Sequence, residues 1–280
     1  GAEGIDASGV VDAAAALRLP AERSRSGPVN SGYLIIGDQG RVDAFGDVGH
    51  RGDAWGDLGR SRATHLEAHA SGAGYWILDE AGQVMSFGAA RGYGEMAASQ
   101  RAAGERAVSL GALPDGDGYW IFTDAGRVFP FGWAHDHGDL SGVRLNRPIV
   151  AAAGTPTGRG YVMVSDDGGV FTFGDARFAG SMGGQRLNAP IRSIAVDGDG
   201  DGYWLAATDG GVFAFDAPYR GSLGATHLNA PIAGMATCRE GYFLVSSDGG
   251  VFSFSSCPFA GSLGDGPATN TVVGLSAPRR

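Results

Sequence analysis

The chain has 280 residues, of which 50 are glycine and 43% hydrophobic, and a formal net charge of −9. That acidic balance repels nucleic acid and anionic membranes, so neither is an expected partner. No apolar run approaches the ~20 residues needed to span a bilayer, which excludes insertion by a helix, and apolar runs persist along the chain, which argues against a disordered mix.

In chain order, residues 1–28 come first. Asp6-Ala7-Ser8-Gly9-Val10-Val11-Asp12-Ala13 is similar to Asp38-Gln39-Gly40-Arg41-Val42-Asp43-Ala44 with one extra residue, and reads as the second half of a repeat. A unit then recurs six times, near 30–71, 72–115, 116–157, 158–199, 200–238 and 239–270. Its marker tyrosines are Tyr33, Tyr75, Tyr119, Tyr161, Tyr203 and Tyr242, at intervals of 42, 44, 42, 42 and 39 residues by subtraction. A fixed period of this size means one structural unit copied many times.

The fifth copy is the clearest. Ile191 to Val196 and Tyr203 to Thr208 are short apolar runs, Val212 to Phe215 alternates, and Tyr219 to Leu223 is a fourth run. Period two with aromatic and β-branched residues reads as strand. The turn Asp209-Gly210-Gly211 has counterparts Asp38-Gln39-Gly40, Glu80-Ala81-Gly82, Asp124-Ala125-Gly126, Asp167-Gly168-Gly169 and Asp248-Gly249-Gly250. The acid accepts from nearby N–H groups and glycine supplies positive φ. Four short antiparallel strands in about 42 residues match one blade of a β-propeller. Phe171, Phe173, Phe213, Phe215, Phe252 and Phe254, with Trp76, Trp120 and Trp204, are then expected between blades. Last, Thr271-Val272-Val273-Gly274-Leu275-Ser276 matches the first strand of a blade. Joined to residues 1–28, segment 271–280 makes a seventh blade that seals the ring and hides its strand edges. The expected fold is all-β: one β-propeller domain over 1–280, with seven four-stranded blades, six being the alternative.

Cys238 falls between the first and second strands of the sixth repeat and Cys257 between its third and fourth, so both lie at one end of the blade. The pair is expected either to be bridged, which favours an oxidising compartment, or to be two thiols in small-residue slots.

The segments GYWLAATDGGVFAFDAPYRGSLGATHLNAPI and GYFLVSSDGGVFSFSSCPFAGSLG resemble the repeats of secreted actinobacterial β-propeller proteins. The resemblance is strong over residues 144–280 and degraded over 30–143. It implies a propeller, export to the medium or cell surface, and a scaffolding or binding role beside cell-wall or polysaccharide enzymes. No catalytic residue is carried over from it.

Departures in repeats one to three are the available functional signal. After the third strand, repeats four to six read Arg177-Phe178-Ala179-Gly180-Ser181, Tyr219-Arg220-Gly221-Ser222 and Phe259-Ala260-Gly261-Ser262. Repeat one has His50-Arg51-Gly52-Asp53 and then Trp55. Repeat two has Gly92-Tyr93-Gly94-Glu95. Repeat three has Trp133-Ala134-His135-Asp136-His137-Gly138-Asp139. Serine is thus replaced by Asp53, Glu95 and Asp139, and Pro130 interrupts the third strand of repeat three. Trp55, Tyr93, Glu95, Trp133 and Asp136 suit a sugar, whose C–H faces stack on rings and whose hydroxyls donate to carboxylates. The competing reading is drift on an outer rim.

Two metal readings stand beside this. His135 and His137, at i and i+2 of a strand, would share a face, with neighbouring carboxylates completing a site. Asp197, Asp199 and Asp201 alternate with glycine like the opening of a calcium loop, although its twelfth position is Thr208 instead of an acid; the alternative is a solvated Asp-Gly turn. No nucleophile elbow, phosphate loop or C-x-x-C occurs. The first functional expectation is therefore a monomeric secreted module that binds a carbohydrate or cell-envelope ligand through repeats one to three, with calcium as the one candidate cofactor. The second is a lyase, isomerase or hydrolase using His50, Asp53, His135, His137 and Asp139 as acid–base groups. The third is a protein-interaction scaffold.

Overall fold

In the computed structural model, residues 32–239, 241–263 and 270–278 are described. They form six three-stranded antiparallel sheets. β1 (Gly32–Gly37) and β2 (Val42–Gly46) open the series. Complete sheets follow from β3 (Ala63–Ala68), β4 (Gly74–Asp79) and β5 (Val84–Gly88), and from β6 (Ala107–Ala112), β7 (Gly118–Thr123) and β8 (Val128–Gly132). The next are β9 (Ile149–Gly154), β10 (Gly160–Ser165) and β11 (Val170–Gly174), then β12 (Ile191–Val196), β13 (Tyr203–Ala207) and β14 (Val212–Phe215). β15 (Ile232–Cys238), β16 (Gly241–Ser246) and β17 (Val251–Phe254) make the sheet before last. β18 (Val272–Ser276) then returns to pair with β1, with Leu34 opposite Ser276.

The first strands touch in cyclic order: β3, β6, β9, β12, β15, β18 and back to β3. The sheets therefore surround one axis as the blades of a propeller, and the two ends of the described chain meet in one blade. Among the described residues β18 lies between β15 and β3 and pairs with β1, so it completes the sheet of the first repeat and no further sheet is present. Residues 1–28, assigned to the closing blade from sequence, lie outside the described residues.

The middle strand of each blade is buried on both faces, as β4, β7, β10 and β16 are throughout. This explains their near-continuous apolar sequences, since sheets cover both sides. The core lies between blades. One cluster joins Val162 and Val164 of β10 to Ile194 of β12 and Leu205 of β13. Trp76, Trp120 and Trp204 are fully buried, and their indole N–H groups donate to the carbonyls of Arg91, His135 and Pro218.

The fourth strand expected in each blade is absent among the described residues. The corresponding segments, such as 219–223, are irregular and are fixed by side chains of the next blade. Tyr75, Tyr119, Tyr161, Tyr203 and Tyr242 donate their hydroxyls to the carbonyls of Gly52, Gly94, Gly138, Gly180 and Gly221, and Tyr33 closes the circle on Gly261. This is why the marker tyrosine recurs: its ring fills the blade interface and its hydroxyl ends on a carbonyl of the neighbouring outer segment. The glycine recurs because φ is positive there. At Gly180, φ is +141° and a Cβ would stand 2.5 Å from the Phe215 ring.

Two smaller expectations are corrected. The turn glycines with positive φ are Gly40, Gly82, Gly126, Gly168, Gly210 and Gly249. The acids of the first three turns, Asp38, Glu80 and Asp124, therefore match Asp166, Thr208 and Ser247, one place earlier than the alignment by sequence put them. Pro130 does not break β8, because β8 is an outer strand paired only with β7 and an edge tolerates the missing N–H.

Candidate functional site

Each blade has a hairpin end, where the first and second strands join, and a turn end, where the second and third join. The segment after the third strand runs from the former to the latter. Trp133 directly follows β8 at the hairpin end, and its N–H donates to the Asp117 carbonyl at 3.1 Å. Its side chain is 75% exposed, the most exposed large apolar group among the described residues. Beside it lies an open depression of about 310 Å³ lined by Pro114, Asp115, Asp117, His135 and Thr157.

The depression stands on a braced loop. Leu113 N–H donates to Gly118 O and Gly116 N–H to Leu113 O, both at 2.9 Å. Asp115 Oδ1 accepts from Asp117 N–H at 3.0 Å. Tyr93, from the preceding blade, donates its hydroxyl to Gly116 O at 3.0 Å and lies 3.4 Å from Asp117 Oδ1. Tyr93 thus supports the loop from outside, and the exposed Asp115 and Asp117 keep carboxylate oxygens for solvent or ligand.

His135 and His137 do not share a strand face. His135 is exposed at the depression while its carbonyl takes the Trp120 indole proton at 2.7 Å. His137 turns inward: its ring lies 6.1 Å from Trp120 and 5.8 Å from Tyr161, and its buried Nε2 has no hydrogen-bond partner. Burial pushes the Tyr161 hydroxyl up to about 12, against a smaller opposing effect of the His137 N–H. Tyr161 therefore stays protonated and donates to Gly138 O at 2.6 Å.

The acids that replace serine keep the serine's task. Asp53 Oδ1 accepts from Trp55 N–H at 3.1 Å and Asp139 Oδ1 from Ser141 N–H at 2.8 Å, as Ser181 Oγ does from Gly183 N–H at 3.0 Å. Asp136 likewise accepts from Gly138 N–H at 2.7 Å. Glu95 is exposed. His50 Nε2 is 3.7 Å from Asp53 Oδ2 in an isolated surface pair. Trp55, 49% exposed, lies at the turn end, where Ala54 N–H donates to Gly40 O. Trp55 and Trp133 thus occupy opposite ends of the ring and form no shared surface.

No protein-family profile and no curated protein matches the sequence. Among solved structures it is similar to the β-propeller domain of Cps50 (Swd1) from Myceliophteria thermophila, at 12% identity and a TM-score of 0.45, over 66% of this chain and 62% of that one.

The Asp-Gly loop of the fifth repeat folds as the third repeat's hairpin does. Asp197 N–H donates to Gly202 O and Gly200 N–H to Asp197 O, at 2.9 and 3.0 Å. Asp197 is buried with Oδ1 on Gly198 N–H, whereas Asp199 and Asp201 are exposed and Asp199 Oδ1 takes the Asp201 N–H. Among the described residues no three His, Cys, Asp or Glu side chains are placed to hold one metal ion. Cys238 and Cys257 are joined, with Cα atoms 6.2 Å apart, which ties the hairpin of the last repeat to its outer segment. In the fourth repeat Thr155 and Thr157 make the similar tie by donating to Asp175, at 2.9 and 2.6 Å.

Proposed function

We propose that this chain is a secreted, six-bladed β-propeller module that binds a carbohydrate of the cell envelope at the depression beside Trp133. The exposed Trp133 ring, set next to Asp115 and Asp117, carries the proposal. An indole face offers a platform to the C–H groups of a pyranose, and two neighbouring carboxylates accept from its hydroxyls. His135 and Thr157 add further polar contacts at the rim. The depression is open and shallow, which suits holding a chain of sugars more than enclosing a reaction. The catalytic alternative has less support, because the His137 ring is shut between Trp120 and Tyr161 and His50 lies in another blade. The bridged cysteines agree with an oxidising, extracellular setting.

The test is glycan-array binding followed by titration of the best glycan. Trp133→Ala is expected to weaken binding by about tenfold or more, because a stacked ring contributes about 1.5 kcal/mol. Trp55→Ala, at the opposite end, is expected to leave it unchanged. Equal binding by wild type and Trp133→Ala rejects the proposal.

A further inference from the structure

The first strand of every blade carries one residue more than its partner strand. The register slips between Ala63 and His65, Ala107 and Ser109, Ile191 and Ser193, and Ile232 and Gly234, and it slips in the same way at β9 and β18. The residues left unpaired are Thr64, Val108, Val150, Arg192, Ala233 and Val273. A bulge of this kind re-aims a side chain away from the sheet's normal alternation. Since the six first strands touch in a circle, the six bulges form one layer around the axis. All but Ala233 are partly open on strands that are otherwise largely buried, and in β12 Arg192 alone is not buried.

Five of these residues are small or aliphatic, and one is an arginine. Packing alone does not call for a guanidinium where valine, alanine and threonine serve. The arginines that lead into three other first strands are paired: Arg62 with Asp38, Arg106 with Asp124 and Arg147 with Asp166. Among the described residues Arg192 has neither an ion pair nor a side-chain hydrogen bond. Burial lowers its pKa, with no carboxylate acting against that. Its guanidinium is thus partly open on an inner strand and free to pair with an anion.

We propose that Arg192 makes the axial opening at the bulge layer a binding site for a small oxyanion, namely a carboxylate or phosphate group. The planar guanidinium fork matches either group through two parallel N–H bonds. The other unpaired residues of the layer, Thr64, Val108, Val150, Ala233 and Val273, carry no charge, so none of them competes with or repels the anion that the guanidinium would hold. The site is independent of the Trp133 depression.

The experiment is a thermal-shift and calorimetric titration with sodium phosphate and, separately, sodium acetate, at ionic strength held constant with chloride. Wild type is expected to gain stability saturably with at least one of the two, and the one that acts identifies the anion class. Arg192→Val, which copies the other blades, is expected to shift the midpoint at least tenfold and to melt no lower than wild type without anion. Arg192→Gln keeps the side-chain length, and it replaces Arg192→Val in the comparison if the latter fails to fold. A wild-type chain that responds to neither anion overturns the proposal, as does a folded variant that responds like wild type.

Discussion

Blades four to six and blades one to three share one inner lattice and differ outside it. The tyrosine-to-glycine bonds run unbroken through all six, from Tyr75 on Gly52 to Tyr33 on Gly261. At one outer position, however, the later blades carry Phe178, Tyr219 and Phe259, 50–60% exposed, where the earlier ones carry His50, Gly92 and Asp136. Recurrence in sequence is therefore not a sign of burial. These three aromatics repeat, yet they face solvent, while Arg192 occurs once, at the bulge of an inner strand. What separates the halves is surface chemistry laid over a common frame.

The strongest way to break that comparison is to remove a buried tryptophan from each half. Trp120 and Trp204 are both fully buried and both donate to an outer-segment carbonyl. Trp120→Ala and Trp204→Ala are each expected to cost about 3–5 kcal/mol in denaturant unfolding. If the halves share one frame, the two losses agree to within about 1 kcal/mol. A loss for Trp120→Ala that is far smaller would mean that the early blades pack loosely.

The next effect contrasts the fourth and sixth blades, which make a similar tie by different chemistry. Replacing Cys238 and Cys257 together by serine is expected to cost about 3 kcal/mol, given a sequence separation of 19. Asp175→Ala, which removes the acceptor for Thr155 and Thr157, is expected to cost about 1 kcal/mol. Equal costs measured by thermal unfolding would show that the covalent link adds nothing to the hydrogen-bonded one.

The frame was legible in sequence because its residues repeat with the blade. The marker tyrosines, the turn glycines and the strand alternation pointed to the class of fold, and two lone cysteines at one blade end left a bridge and two free thiols both open. Blade number stayed between seven and six in sequence, because residues 1–28 read as half of a further blade, whereas the described β18 pairs with β1. The missing fourth strand was not legible: an extended aromatic-glycine run reads as strand, although side-chain bonds to the next blade hold it. Site residues were harder still. Trp133 stood out as unrepeated and is exposed, but Trp55 stood out equally and lies at the other end. Spacing along the chain does not reveal that the outer segment runs between the two ends. Arg192 escaped notice in a repeat taken as regular, because the bulge that sets its position appears only in the strand register.

The smallest expected effect tests whether the acids of the early blades are chemical or structural. Asp139 caps its turn by accepting from the N–H two residues on, and Ser181 does the same in the next blade. Either side chain satisfies that N–H, and both are partly open to solvent. Exchange in both directions, Asp139→Ser and Ser181→Asp, should therefore move stability by no more than about 0.5 kcal/mol. Asp139→Ala should cost about 1 kcal/mol, because it leaves the Ser141 N–H to water. Should serine fail to replace the acid while alanine and serine cost the same, the carboxylate is held for a task outside the turn. The outer surface of the early blades would then differ in function from the later ones, and not merely in composition.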